Sequence, residues 1–170
     1  KITLALPQIP IVKGDITANI ARHLDAVALA TEYGANMVVF PELSLTGYEL
    51  ELAASLAMTE LDDGFLRLLE AARQYDTAII AGCPLAEADA NPAIGAVICF
   101  PDGSIDFYKK QYLHPGEEHF CTAGQTNYHF KYRGLKLALA ICADFTNPKH
   151  IEDAATWGAD IYLVSALISE

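Results

Sequence analysis

Apolar and polar positions alternate through ITLALPQ (residues 2–8) until Pro7 interrupts, the pattern of a first β-strand. Asp15 and Thr17 then offer N-caps for a helix that runs through Tyr33. Within it Ile20, Leu24, Val27 and Ala28 recur at helical spacing and make one buried face, which weakens at the polar Thr31. Gly34 is suited to end the helix. MVVF (37–40) is a continuous apolar run, typical of a strand covered on both faces. Strand, helix and strand in this order make a β-α-β unit, and such units imply parallel pairing.

The same reading continues along the chain. A second helix is predicted over about 62–75, with Phe65, Leu68, Leu69 and Ala72 on one face, and TAIIAGCPL (77–85) follows as a strand. AIGAVICF (93–100) and SIDFYKK (104–110) flank Pro101-Asp102-Gly103, turn residues that suit a hairpin. A polar and aromatic loop spans about 111–125. YHFKY (128–132) and LKLALAIC (135–142) form a second hairpin around Arg133-Gly134. A third helix starts after Pro148 and ends at Gly158, and DIYLVSA (160–166) is one more strand. The result is an α/β fold in which β-α-β units carry inserted antiparallel hairpins. With no repeat, low-complexity tract or linker, residues 1–170 are expected to form one domain.

Composition narrows the functional classes. Hydrophobic residues make up 52% of the 170 and charged residues 19%, enough apolar material for a real core. The formal net charge of −11 argues against nucleic acid or an anionic membrane as the main partner, because phosphate binding needs clustered Lys and Arg. No apolar run approaches the length of a membrane span. ITLALPQ is too short for a secretory signal core. The four cysteines, Cys83, Cys99, Cys121 and Cys142, contain no C-x-x-C pair. The expectation is a reduced, soluble, cytoplasmic protein.

Three strand-like runs each deliver a chemically capable side chain: Glu42 after MVVFP, Lys110 at the end of IDFYKK, and Cys142 at the end of LALAIC. A carboxylate, an ammonium and a thiol are the parts of a thiol-based acyl-transfer site, which needs a base and a positive oxyanion donor. A strand-to-helix turn at Cys142 would set the sulfur beside free backbone N–H groups that favour the thiolate. Each residue also has a plainer reading: Cys142 as a core cysteine, Glu42 as a loop acid, Lys109 and Lys110 as edge charges. Spacing alone does not bring the three together. His114, His119 and His129 lack ligand spacing, and His23 and His150 are expected to face solvent from their helices. Trp157 is expected to pack a helix end, and Glu49, Glu51 and Glu60 to form a solvated face.

The segments PELSLTGYE, YKKQYLHPGEEHFCTAG and LALAICADFTNPKHIEDAATWGADIYLVS resemble, in order, the signature blocks of the nitrilase superfamily of carbon-nitrogen hydrolases. The resemblance covers essentially the whole chain. It implies an αββα four-layer sandwich whose C-terminal elements are missing from this chain. It also implies hydrolysis of non-peptide carbon-nitrogen bonds in small amide or N-carbamoyl substrates, with nitriles as a narrower possibility. Glu42 resembles the family's general base, Lys110 its catalytic lysine and Cys142 its nucleophile. Glu117 matches a second glutamate beside the lysine, although adjacent Glu118 leaves that placement open by one. Tyr48, Ala143 and Phe145 are implied in the substrate pocket, Ala143 through its backbone N–H. Tyr112 departs from the histidine that members usually carry two residues after the lysine. The resemblance implies no metal and no organic cofactor, and it implies self-association into a dimer or larger homo-oligomer. A glutaminase module supplying ammonia to a partner, and a non-catalytic binding or scaffold protein, are the alternatives.

Overall fold

The computed structural model describes residues 1–167. Eight strands and three helices follow the predicted order: β1 (Leu4–Ala5), α1 (Ile16–Glu32), β2 (Met37–Val39), α2 (Asp63–Gln74), β3 (Ala78–Leu85), β4 (Ala93–Cys99), β5 (Ile105–Lys109), β6 (Tyr128–Tyr132), β7 (Leu135–Ile141), α3 (Pro148–Trp157) and β8 (Ile161–Ser165). They make two sheets. The first runs β1-β2-β3-β4-β5, parallel from β1 to β3 and antiparallel from β3 to β5; the second runs β6-β7-β8. In the second sheet β6 and β7 are antiparallel, and β8 lies parallel to β7.

The turn chemistry placed both hairpins. Asp102 accepts hydrogen bonds from the backbone N–H and hydroxyl of Ser104, and Gly103 takes φ 93°. Arg133 and Gly134 take φ 48° and 79°, the paired left-handed residues of a two-residue hairpin turn. Arg133 is held there by its guanidinium, which donates to the carbonyl and the carboxylate of Asp76 at 2.8 Å. The helices carry the expected caps: Asp15 accepts from Ala18 N–H, Asn147 from Lys149 N–H, and Gly158 closes α3 at φ 80°.

Two cores define four layers. Met37, Val39, Ile80 and Ile98 of the first sheet pack against Phe130, Leu137, Leu139 and Ile141 of the second. On the outer face of the first sheet, Val38, Ile79 and Val97 meet Ile20, Val27, Phe65 and Leu68 of α1 and α2. α3 covers the other side, tied to the second sheet by a His150–Tyr162 hydrogen bond of 2.8 Å. This is the αββα sandwich, and it explains why β3 and β4 are buried along their whole lengths.

The two helical histidines do not face solvent. The buried stripe of α1 is Ile20, His23 and Val27, with Leu24 only partly covered. His23 stacks on Phe40 with ring centroids 4.0 Å apart. Its Nδ1 lies 2.7 Å from the Asn19 carbonyl and its Nε2 2.9 Å from Ser44 Oγ. Burial pushes His23 down to about 4, so it is neutral, with Nδ1–H donating to Asn19 and Nε2 accepting from Ser44. His150 is buried as well, inside a chain of hydrogen bonds described below. A polar side chain can occupy a core stripe when each of its ring nitrogens finds a partner.

Candidate active site

Glu42 lies three residues beyond the end of β2, on a loop pressed against β3. Phe40 N–H donates to Ile80 O, and Leu45 N–H to Gly82 O, both at 2.9 Å. Ser44 Oγ accepts from Gly82 N–H at 3.2 Å while donating to His23, so α1, the loop and β3 are locked together. Gly82 permits this approach: a Cβ there would collide with Leu43 N and Pro41 O, on either side of Glu42. Gly82→Ala is therefore expected to displace Glu42 and to cost about 1–3 kcal/mol of stability by overpacking, seen as a lower melting temperature.

Lys110 follows β5 directly. Alternation along the strand sends its neighbour Lys109 outward to an ion pair with Glu87, while Lys110 is fully buried. Lys110 Nζ donates to Glu42 Oε1 at 2.6 Å and to Glu117 Oε1 at 2.8 Å. Glu117 stands in a short turn opened by Gly116, at φ 100°. Its Oε1 also accepts from the Tyr48 hydroxyl at 2.6 Å, and its Oε2 from His114 N–H at 2.8 Å. Glu118 is exposed and accepts from Gly116 N–H. Of the two glutamates, Glu117 is the one that bonds to Lys110.

Burial alone would lower the proton affinity of Lys110, but the two carboxylates outweigh it and hold the ammonium charged. Glu42 moves the other way. Its burial, with the charge of Glu117 beside it, raises its carboxyl above the ordinary glutamate range against the pull of Lys110. Glu42 Oε1 is taken by the lysine, whereas Oε2 is buried with no hydrogen-bond partner among the described residues.

Cys142 follows β7 and opens a single 3₁₀ turn over Cys142–Thr146. Its φ of 43° is left-handed, a strained state for a residue with a Cβ. The thiol is half-buried and pushed up to about 11, first by burial and then by the charge of Glu42. At neutral pH it is a thiol and needs a base to become a nucleophile. Cys142, Glu42, Tyr48, Glu117, Phe120 and Leu167 line one cavity of about 490 Å³. Ala143 lines a neighbouring cavity with Tyr112 and Asn147, and Phe145 a third with Pro7 and Val164. Four of the seven residues singled out from sequence, Glu42, Tyr48, Glu117 and Cys142, thus share one cavity, and Lys110 bridges two of them, Glu42 and Glu117. Among the described residues no cluster of His, Cys, Asp or Glu is arranged to hold a metal ion, and no helix is long and apolar enough to cross a membrane.

Residues 3–169 match the family model described as carbon-nitrogen hydrolase. The chain belongs to this family. An (R)-stereoselective amidase from Pseudomonas sp is 30% identical over 158 residues, 89% of this chain and 55% of that protein. A glutamine-dependent NAD(+) synthetase from Thermotoga maritima is 24% identical over 98% of this chain and 30% of its own length. Among solved structures, a mutant amidase from Nesterenkonia sp. AN1, showing Michael addition of acrylamide at the active site cysteine, superposes with a TM-score of 0.90 at 26% identity. It is matched over 100% of this chain and 68% of its own. The carbon-nitrogen hydrolase chain described here thus spans about half the length of that Pseudomonas amidase.

Proposed function

We propose that this chain carries the catalytic machinery of a thiol-dependent hydrolase acting on small amide or N-carbamoyl substrates. The observation that carries the reading is the fully buried Lys110 ammonium, clamped between two carboxylates that line a cavity whose wall also holds a strained, half-buried cysteine. A buried cation between two acids is a costly arrangement, retained where charge must be stabilised in a fixed place. A cavity of about 490 Å³ suits a small molecule.

In this reading Glu42, through its free Oε2, takes the Cys142 proton as the sulfur attacks the amide carbon. The Lys110 ammonium and the Ala143 N–H hold the oxyanion. The C–N bond breaks as Glu42 returns the proton to departing ammonia, leaving a thioester on Cys142. Glu42 then takes a proton from water, whose oxygen attacks the thioester; the acid leaves and Cys142 is protonated again. Glu117, braced by Tyr48, keeps Lys110 in line. The similarity to amidases supports this choice of substrate class. The similarity to a glutamine-dependent synthetase supports a second reading, in which the ammonia passes to a partner. The test is ammonia release by the complete protein from aliphatic amides, ureido acids, glutamine and nitriles. Release from amides or ureido acids supports the first reading, and release from glutamine alone moves the assignment to the second.

The raised proton affinity of Glu42 sets the pH dependence. The base must be ionised, so activity falls as pH drops through its raised pKa. The acid limb of the kcat/KM profile is therefore expected above the ordinary glutamate value of about 4.3. A limb at or below that value would contradict a buried Glu42 base.

A further inference from the structure

Asp144 has no part in the scheme above, yet it is fully buried and its carboxylate accepts four hydrogen bonds. Oδ1 accepts from the backbone N–H of Gln111 at 3.0 Å and of Tyr112 at 2.9 Å. Oδ2 accepts from Ile141 N–H at 2.9 Å and from the Tyr108 hydroxyl at 2.7 Å. Gln111 and Tyr112 come directly after Lys110, and Ile141 directly before Cys142. The two segments leave different sheets, β5 the five-stranded one and β7 the three-stranded one. One carboxylate therefore spans the sandwich and joins the strand end that carries the ammonium to the strand end that carries the thiol.

The surroundings keep that carboxylate in place without a cation. Tyr108 donates its only hydrogen to Asp144, so at 3.0 Å it accepts from His150 Nε2–H, and His150 Nδ1 accepts from the Tyr162 hydroxyl at 2.8 Å. Gln111 Nε2 lies 3.4 Å from the same Tyr108 oxygen and 2.6 Å from Asn127 Oδ1. His150, kept neutral by burial, donates through Nε2–H and accepts through Nδ1, and so links the two tyrosines. Every Asp144 contact is thus an N–H or O–H donor, which a carboxylate can satisfy and a carboxamide cannot.

We propose that Asp144 is a positioning residue: it fixes the separation of Lys110 Nζ and Cys142 Sγ and holds Cys142 in its left-handed backbone. The inference rests on the hydrolase reading for its consequence in turnover, but not for its effect on the thiol. The test is Asp144→Asn in the complete protein. Asn presents N–H donors where Ile141 N–H now points, so the turn before Cys142 loses its anchor. The thiol then leaves the buried Glu42–Lys110 pair, and with it Glu42, the base placed to take its proton. Two readouts follow. Alkylation of Cys142 by iodoacetamide, mapped by peptide mass, slows about tenfold, and kcat for the best amide falls about 100-fold while KM stays within about threefold. Both rates within about twofold of the unchanged protein, in a variant that melts normally, would overturn the proposal. Should Asp144→Asn fail to fold, Tyr108→Phe decides: it removes one of the four bonds, and a fall of about threefold in both rates supports the proposal, whereas none overturns it. Ammonia release that survives Cys142→Ala would refute the hydrolase reading without touching the alkylation result, so the two failures are separable.

Discussion

Cys142→Ala is expected to lower ammonia release by at least about 10³-fold, to the level of assay background. No other thiol can take its place. Cys83 and Cys99 are fully buried in β3 and β4, and burial drives both thiols further from ionisation. Cys121 is only 4% exposed, and burial followed by the charge of Glu117 pushes it up to about 11. Cys142 alone among the four is half-buried and lines the cavity. The removed sulfur is small and sits at the cavity wall, so the variant should fold and melt like the parent. Residual release above about a hundredth of the parental rate would mean that another group attacks the substrate.

Lys110→Met is expected to fail in two ways at once. Loss of an oxyanion donor costs about 10²–10³-fold in kcat. Loss of the cation leaves Glu42 and Glu117 facing each other in a buried site, and breaking such an ion pair costs about 3–5 kcal/mol. The two failures separate by pH. Without the ammonium the carboxylates repel, and the pair retains a proton above the unfolded glutamate pKa of about 4.3. A group with a raised folded-state pKa favours the fold below its unfolded value and loses that contribution as pH rises through the folded value. The melting deficit against the unchanged protein should therefore be larger near pH 8 than near pH 5. Equal deficits at the two pH values would show that the acids do not depend on this lysine.

The elements of the fold were legible because local chemistry and periodicity agreed. Asp102-Gly103 and Arg133-Gly134 carry turn conformations and Gly158 stops a helix where expected, while that helix starts at Pro148 itself rather than after it, capped by Asn147. The two-layer pairing of the sheets was not legible from periodicity, since both faces of MVVF and AIGAVIC are apolar and do not say what covers them. It came from the family resemblance. The same holds for the site. Glu42 and Lys110 are 68 residues apart, and no spacing rule predicts that their side chains meet at 2.6 Å. The choice between Glu117 and Glu118 required the left-handed Gly116, which turns the first inward and leaves the second in solvent.

Polarity does not mean exposure in the two helices that carry His23 and His150. His23 occupies a core stripe because Asn19 and Ser44 saturate both of its nitrogens, one partner a turn away and the other from a distant loop. His150 is buried for the same reason, between Tyr108 and Tyr162. In the sequence Asp144 is only a polar residue following an apolar run. Its four donors come from two distant segments of the chain, Tyr108–Tyr112 and Ile141, which a single position cannot reveal.

In the proposed reaction Cys142 becomes acylated while the C–N bond breaks. The most direct measurement is the mass of the complete protein quenched during turnover of the best amide, followed by peptide mapping. One acyl group from the substrate is expected on Cys142, and none in Cys142→Ala. Steady ammonia release from the unchanged protein with no acyl group on Cys142, or with the group on another residue, would contradict it.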